Sequence, residues 1–165
     1  MSSSIKNLNQ TLAFQLEGIY EDVKRLQSDI SKVSKLVDDQ ETRMVFGDYR
    51  RSLGDQRLKL KRIFSYLLTG PYGRKLEREF VRWDDIIDLD ILPSLRDILF
   101  ISSLHHEIQK IIHTYTDARY IAMRLDLDSV VRLIDEILDE EERVAQTLKR
   151  ISSTKINEAC LLIAN

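Results

Sequence analysis

Ten apolar residues, Ile5, Leu8, Leu12, Leu16, Ile19, Val23, Leu26, Ile30, Val33 and Val37, follow one another in steps of three and four without a break. Strand side chains alternate faces at every residue, so this pattern belongs to a helix. It predicts one helix from about residue 5 to 37, roughly 50 Å long at ~1.5 Å per residue. Ser3 or Ser4 is placed to cap it. A single apolar face of that length has to lie against other long helices, which is the geometry of a bundle.

Further stripes supply those helices. A second helix is expected over about 40–68, with Asp39 as its cap. Its stripe runs through Val45, Tyr49, Ser52, Gln56, Leu60, Ile63 and Leu67, and its middle is polar. Gly47 and Gly54 each cost about 1 kcal/mol relative to Ala inside a helix, so they mark close packing or a bend. Thr69-Gly70-Pro71-Tyr72-Gly73 ends the segment. A shorter helix over about 74–89, with Leu76, Phe80, Trp83, Ile86 and Ile87, reads as a connector. A third long helix spans about 94–125, with Pro93 in its first turn. A fourth spans about 130–151, through Val130, Leu133, Ile137, Val144, Leu148 and Ile151. Ser152-Ser153-Thr154 is expected to interrupt it and leave a short C-terminal tail. Two long hairpins joined by a long connection give one all-α domain over residues 1–165, wired as a ferritin-like four-helix bundle. An up-down-up-down bundle would have a short middle loop.

Composition narrows the function classes. Net charge is −2, which excludes nucleic-acid binding by bulk electrostatics. The stretch from Arg50 to Lys75 is basic (Arg50, Arg51, Arg57, Lys59, Lys61, Arg62, Arg74, Lys75), and the fourth helix is acidic. Dipole complementarity and solvated faces account for it, or pairing within the bundle or across a dimer. No aromatic stacking pattern interleaves the run, so nucleic acid is not an expected partner. The single cysteine, Cys160, excludes an intrachain disulfide and suggests the cytoplasm. Among Ala159, Leu161, Leu162 and Ile163 it reads as a buried or interface thiol. No apolar run resembles a signal peptide or approaches the ~20 residues of a membrane span. Gly70-Pro71-Tyr72-Gly73-Arg74-Lys75 lacks the spacing of a phosphate loop, and no nucleophile motif appears. No enzyme, catalytic residue or cofactor is expected. His113 and Asp117 share a helix face but lack a third ligand, and His105 and His106 stand off the stripe.

One position on the fourth stripe is anomalous. Steps of three and four from Ile137 to Val144 pass through Glu141. A carboxylate on a core face needs a partner, a proton or a metal. The other helices offer Tyr20, Tyr49, Gln56 and Tyr115, which would form a buried polar cluster and leave the carboxyl with a raised pKa. The alternative is solvation at the stripe's edge, since Glu140-Glu141-Glu142 offers three registers.

Several segments resemble the bacterial, stress-associated ferritin-like proteins of the YciE/YciF type. Ile19-Tyr20-Glu21 resembles that family's Leu-Tyr-acid signature. Val45-Phe46, Tyr49 and Gln56 stand where its second helix carries Ala-Phe, His and Gln. Pro93 to Ile101 is similar to the opening of its third helix, and Leu133 to Glu142 to its Leu-x-Glu-Glu motif. The resemblance covers about residues 16–151. It implies six metal-ligand positions, which fall here on Val23, Ser52, Ile108, Ile111, Glu141 and Ala145. Only Glu141 keeps the ligand. The resemblance therefore implies the fold without the di-metal site: a non-enzymatic structural or stress-associated protein, forming a homodimer. The rival expectations are a ferritin-like protein with iron or manganese in a non-standard site, and a helical adaptor docking a partner around Phe80 and Trp83.

Overall fold

A computed structural model of the chain describes residues 6–69 and 83–163. The first helix, α1 (Leu8–Val33), opens on Asn7, whose side chain accepts the Gln10 backbone N–H at 3.0 Å. Ser3 and Ser4 lie outside the described residues. The helix ends at Val33, short of the expected residue 37, and Val37 joins the core from the turn. The second helix, α2 (Gln40–Tyr66), begins at Asp39, whose carboxylate accepts both the N–H and the hydroxyl of Thr42. Those bonds hold the Asp39 carboxyl below its ordinary pKa. The helix is continuous through both glycines. A Cβ on Gly54 would meet the Gln27 amide at 3.1 Å, so that glycine serves close packing. Gln27 reaches across to the Arg50 carbonyl and to Arg57.

The end of α2 is a tight turn in which the Thr69 N–H reaches back to the Phe64 carbonyl at 3.1 Å. That closure holds Leu68 at a φ of 53°, a conformation that favours glycine. Of the connector, α3 (Trp83–Ile87) is described, and Phe80 falls outside. Trp83 is 6% exposed and stacks on Phe100 with ring centroids 6.0 Å apart. It belongs to the core, which corrects the expectation of a docking platform there.

The third long helix, α4 (Pro93–Arg124), carries proline in its first turn as expected. The last, α5 (Asp128–Ile163), runs unbroken through Ser152-Ser153-Thr154, contrary to the expected interruption. The Thr154 hydroxyl donates to the Arg150 carbonyl at 3.1 Å, so the polar side chain is satisfied inside the helix. Ile151 is buried and Lys155 pairs with Asp39 at 3.4 Å, which anchors the helix on both sides of that segment. Beyond Lys155 the helix is largely exposed, and Cys160 is exposed with it rather than buried.

Chain direction follows from contacts at one end. Both oxygens of Asp97, at the start of α4, accept the Asp38 N–H (3.0 and 3.1 Å), and one also accepts that of Asp39 at 2.8 Å. Arg150 of α5 reaches Glu41 at 2.7 Å. Helices α2 and α4 therefore start together and run parallel, while α1 and α5 end there. α1 packs on α2 and α4, and α5 packs on the same two. The connection between α2 and α4 has to return the length of the bundle, about 40 Å for a helix of this size. This is an all-α, ferritin-like four-helix bundle. Among the described residues no helix is long and apolar enough to cross a membrane.

Candidate functional site

The polar middle of α2 faces the acidic stretch of α5, and there the bundle buries a hydrogen-bonded network. Glu141 is fully buried. The Tyr49 hydroxyl donates to one of its oxygens at 2.8 Å and the Gln56 amide to the other at 2.6 Å. The Gln56 carbonyl oxygen accepts the Tyr115 hydroxyl at 2.9 Å. Three helices thus hold one carboxyl: Tyr49 and Gln56 from α2, Tyr115 from α4, and Glu141 from α5. All three partners are buried, and Gln56 lines the base of a cleft of about 260 Å³ on the α2–α5 surface.

Electrostatics follow from that burial. Loss of water pushes the Glu141 carboxyl up to about 7 from an ordinary 4.5, against the two hydrogen bonds, which favour the charged form; the neighbouring Glu140 adds to the rise. Tyr49 and Tyr115 are held well above the usual phenol value by burial and by the Glu141 charge. The arrangement can store a proton or a negative charge. Two further acids act on it through their charge, Glu140 on Glu141 and Glu107 on Tyr49.

Tyr20 is not part of this cluster, which corrects the expectation that placed it there. Its ring meets Phe64 edge-on at 6.2 Å and lies under the Arg57 guanidinium. Of the six positions implied by the family resemblance, Val23, Ile108, Ile111 and Ala145 are buried apolar side chains. Ser52 is half-buried, with its hydroxyl 3.3 Å from Glu140. Glu141 is the sixth. Among the described residues no group of three or more His, Cys, Asp and Glu side chains is placed to hold a metal ion. His113 and Asp117 form an exposed pair at 3.6 Å, and His105 lies beside Gln109 at 3.4 Å.

The basic and acidic helices pair in part across the bundle. Lys59 reaches Glu136 at 3.3 Å, while Arg143 turns to Glu140 on its own helix at 3.0 Å. Three buried acids escaped the sequence reading: Glu17, Asp97 and Glu107. Asp97 lies one step of four before Ile101, so extending that stripe backwards would have found it. Glu107 falls three residues after Leu104, at the stripe's edge, and is flanked by Lys110 at 3.0 Å and Arg25 at 3.6 Å.

No protein-family model matches the chain, and no curated protein matches it. Solved structures share its fold. The E. coli stress protein YciF superposes with a TM-score of 0.81 over 93% of this chain and 99% of its own, at 16% sequence identity. YcfI from Rhodopseudomonas palustris, provisionally called a structural protein, superposes with a TM-score of 0.82 over 90% of this chain and 97% of its own, also at 16% identity.

Proposed function

We propose that this chain is a non-enzymatic protein of the YciF type. On this reading it acts through its surface in a structural or stress-associated role, as a homodimer in the cytoplasm. The observation that carries the proposal is the closed network around Glu141, in which both carboxyl oxygens are taken by Tyr49 and Gln56. Metal-binding ferritin-like proteins place carboxylates on the inward faces of all four helices. The corresponding faces here carry Val23, Ser52, Ile108, Ile111 and Ala145. A divalent cation takes about four to six oxygen or nitrogen donors, and one carboxylate among two phenols and an amide does not fit a metal pair. The shared fold with a protein named for stress, and with one provisionally called structural, supports the assignment of role.

Metal analysis of protein purified without chelator, and again after dialysis against ferrous or manganous salt, tests this reading. The expected content is below about 0.1 ion per chain; more than about one tightly bound iron or manganese overturns it.

A further inference from the structure

A cleft of about 350 Å³ lies between α1 and α3, larger than the one over Gln56. Its volume falls in the range of small-ligand sites. Asp29, Lys32 and Val33 of α1 line it, with Trp83, Asp84, Asp85 and Ile87 of α3. Three carboxyls thus stand against one base, on walls that are otherwise apolar.

The negative charge there is poorly compensated. Asp29 meets Arg25 at 3.4 Å, but Arg25 is shared with Glu107 at 3.6 Å. Burial keeps the Asp29 carboxyl above its ordinary pKa against the pull of Arg25 and Lys32, and the charges of Asp84 and Glu107 add to the rise. Asp84 and Asp85 are exposed and have no ion pair among the described residues. The same holds for Asp88 and Asp90, which follow α3 directly.

The indole of Trp83 adds an independent observation. The residue lines the cleft, and its N–H is closed off from water with no acceptor among the described residues. A buried donor in that state is costly and calls for a carbonyl or another acceptor. Beside the cleft the surface turns apolar. Leu89 and Leu92 are exposed after α3. Leu36 is exposed in the turn after α1, and its carbonyl accepts Arg96, one helical turn beyond Leu92, at 3.3 Å.

These features select the class of ligand. Among the described residues no three acids converge to hold a metal ion, so the carboxyls of the cleft are spread out. Spread carboxyls suit the fork of a guanidinium, and the apolar walls suit the alkyl stem behind it. The indole N–H calls for a carbonyl, which a peptide backbone carries and a free amine lacks. The neighbouring leucines call for apolar residues beside the cation. We infer that the α1–α3 cleft docks an arginine from a basic, leucine-rich segment of a partner protein, with the guanidinium among Asp29, Asp84 and Asp85 and the stem along Val33 and Ile87. Trp83 stays in the core, so the partner meets the acids and leucines around it rather than an exposed ring. The inference rests on the proposal above that the chain acts through its surface.

Trp83 is the one tryptophan of the chain, so its fluorescence reports on this cleft. The probe is a short capped peptide of leucine and arginine, titrated at low salt and followed by emission and by calorimetry. Both should show saturable binding with a dissociation constant below about 1 mM that weakens as salt rises. Citrulline in place of arginine keeps the shape and removes the charge, and that peptide should bind at least about 10-fold more weakly. Agmatine, the arginine side chain without a peptide carbonyl, should also bind at least about 10-fold more weakly. Asp84→Asn and Asp85→Asn should each weaken the peptide about 3-fold, and together about 10-fold. Circular dichroism checks that these variants fold; the citrulline comparison needs no variant. No binding up to about 1 mM overturns the site, and so does heat without a change in emission, which puts the peptide elsewhere. Equal binding of the citrulline peptide, or indifference to the paired substitutions, overturns it too. Agmatine as tight as the peptide overturns the protein partner in favour of a small cation. A failure here leaves metal content untouched, so the reading of a chain without a metal pair stands or falls separately.

Discussion

Replacing Glu141 with glutamine takes one titrating group out of the bundle's interior while keeping its shape. The folded carboxyl holds its proton to about pH 7, against 4.5 for the ordinary group. At ~1.4 kcal/mol per unit, the difference is worth about 3 kcal/mol. Between those two values the folded chain binds the proton and the unfolded chain has released it, so stability falls as pH rises. The contribution is whole below pH 4.5 and is lost once pH passes about 7. Glu141→Gln should abolish this dependence. Like the protonated acid, the amide offers one acceptor and one donor, so Gln56 keeps its bond and the Tyr49 hydroxyl turns round to accept. The two proteins should therefore match within about 1 kcal/mol at pH 4, and the variant should be the more stable at pH 8 by about 3 kcal/mol. Urea unfolding followed by circular dichroism across that range reads the divergence directly. In melting temperature the relative shift is about 6–12 °C for a chain of this length. A difference between the two proteins that stays constant within about 0.5 kcal/mol from pH 4 to 8 would refute the reasoning, because Glu141 would then titrate alike in both states.

Asp97→Ala removes the acceptor of the backbone N–H groups of Asp38 and Asp39 in a part-exposed turn, and denaturant unfolding should show a loss of about 2 kcal/mol. Leu68→Gly relieves the left-handed conformation at the end of α2 and removes a side chain that is 94% exposed, so calorimetry should show a gain of about 0.5–1 kcal/mol. Tyr115→Phe removes one hydrogen bond to Gln56 and should cost about 1 kcal/mol without altering helix content. Truncation after Lys155 removes exposed helix while keeping the Asp39 pair, and should leave stability within about 0.5 kcal/mol of the full chain.

The long helices were legible because burial imposes a period on them. Leu12, Leu16, Ile19, Val23, Leu26 and Ile30 occupy one stripe in the sequence and one buried face in the structure. Termini were less legible, since the choice between Ser4 and Asn7 as a cap turns on a single hydrogen bond. The Ser152-Ser153-Thr154 segment misled because hydroxyl side chains weaken a helix only modestly, and Ile151 and Lys155 tie the backbone down on either side. Glu141 was legible as a misfit on its stripe. Which hydroxyl meets it was not, because Tyr20, Tyr49 and Tyr115 are equivalent in type; of the three, Tyr49 bonds the carboxyl, while Tyr115 reaches Gln56. Asp97 was missed because attention to apolar spacing passes over a carboxylate whose partners are backbone groups of another element.

The hydrogen bonds of the buried network have one property in common. Tyr49 and Gln56 belong to the α1–α2 hairpin, Glu141 and Tyr115 to the α4–α5 hairpin, and every bond crosses from one to the other. Each hairpin can assemble from its own apolar face, but neither can satisfy these groups alone. If one hairpin slid along the other by a helical turn, about 5.4 Å, leucines and isoleucines would still meet leucines and isoleucines. Glu141 would come level with Tyr49 or with Gln56 and lose the other, and a buried carboxyl short of a partner is a costly defect in a protein interior. The network thus works as a lock and key between two halves of the same chain. It admits one alignment out of several that greasy contact alone would tolerate, and docking of the hairpins should be the step in folding at which it first forms.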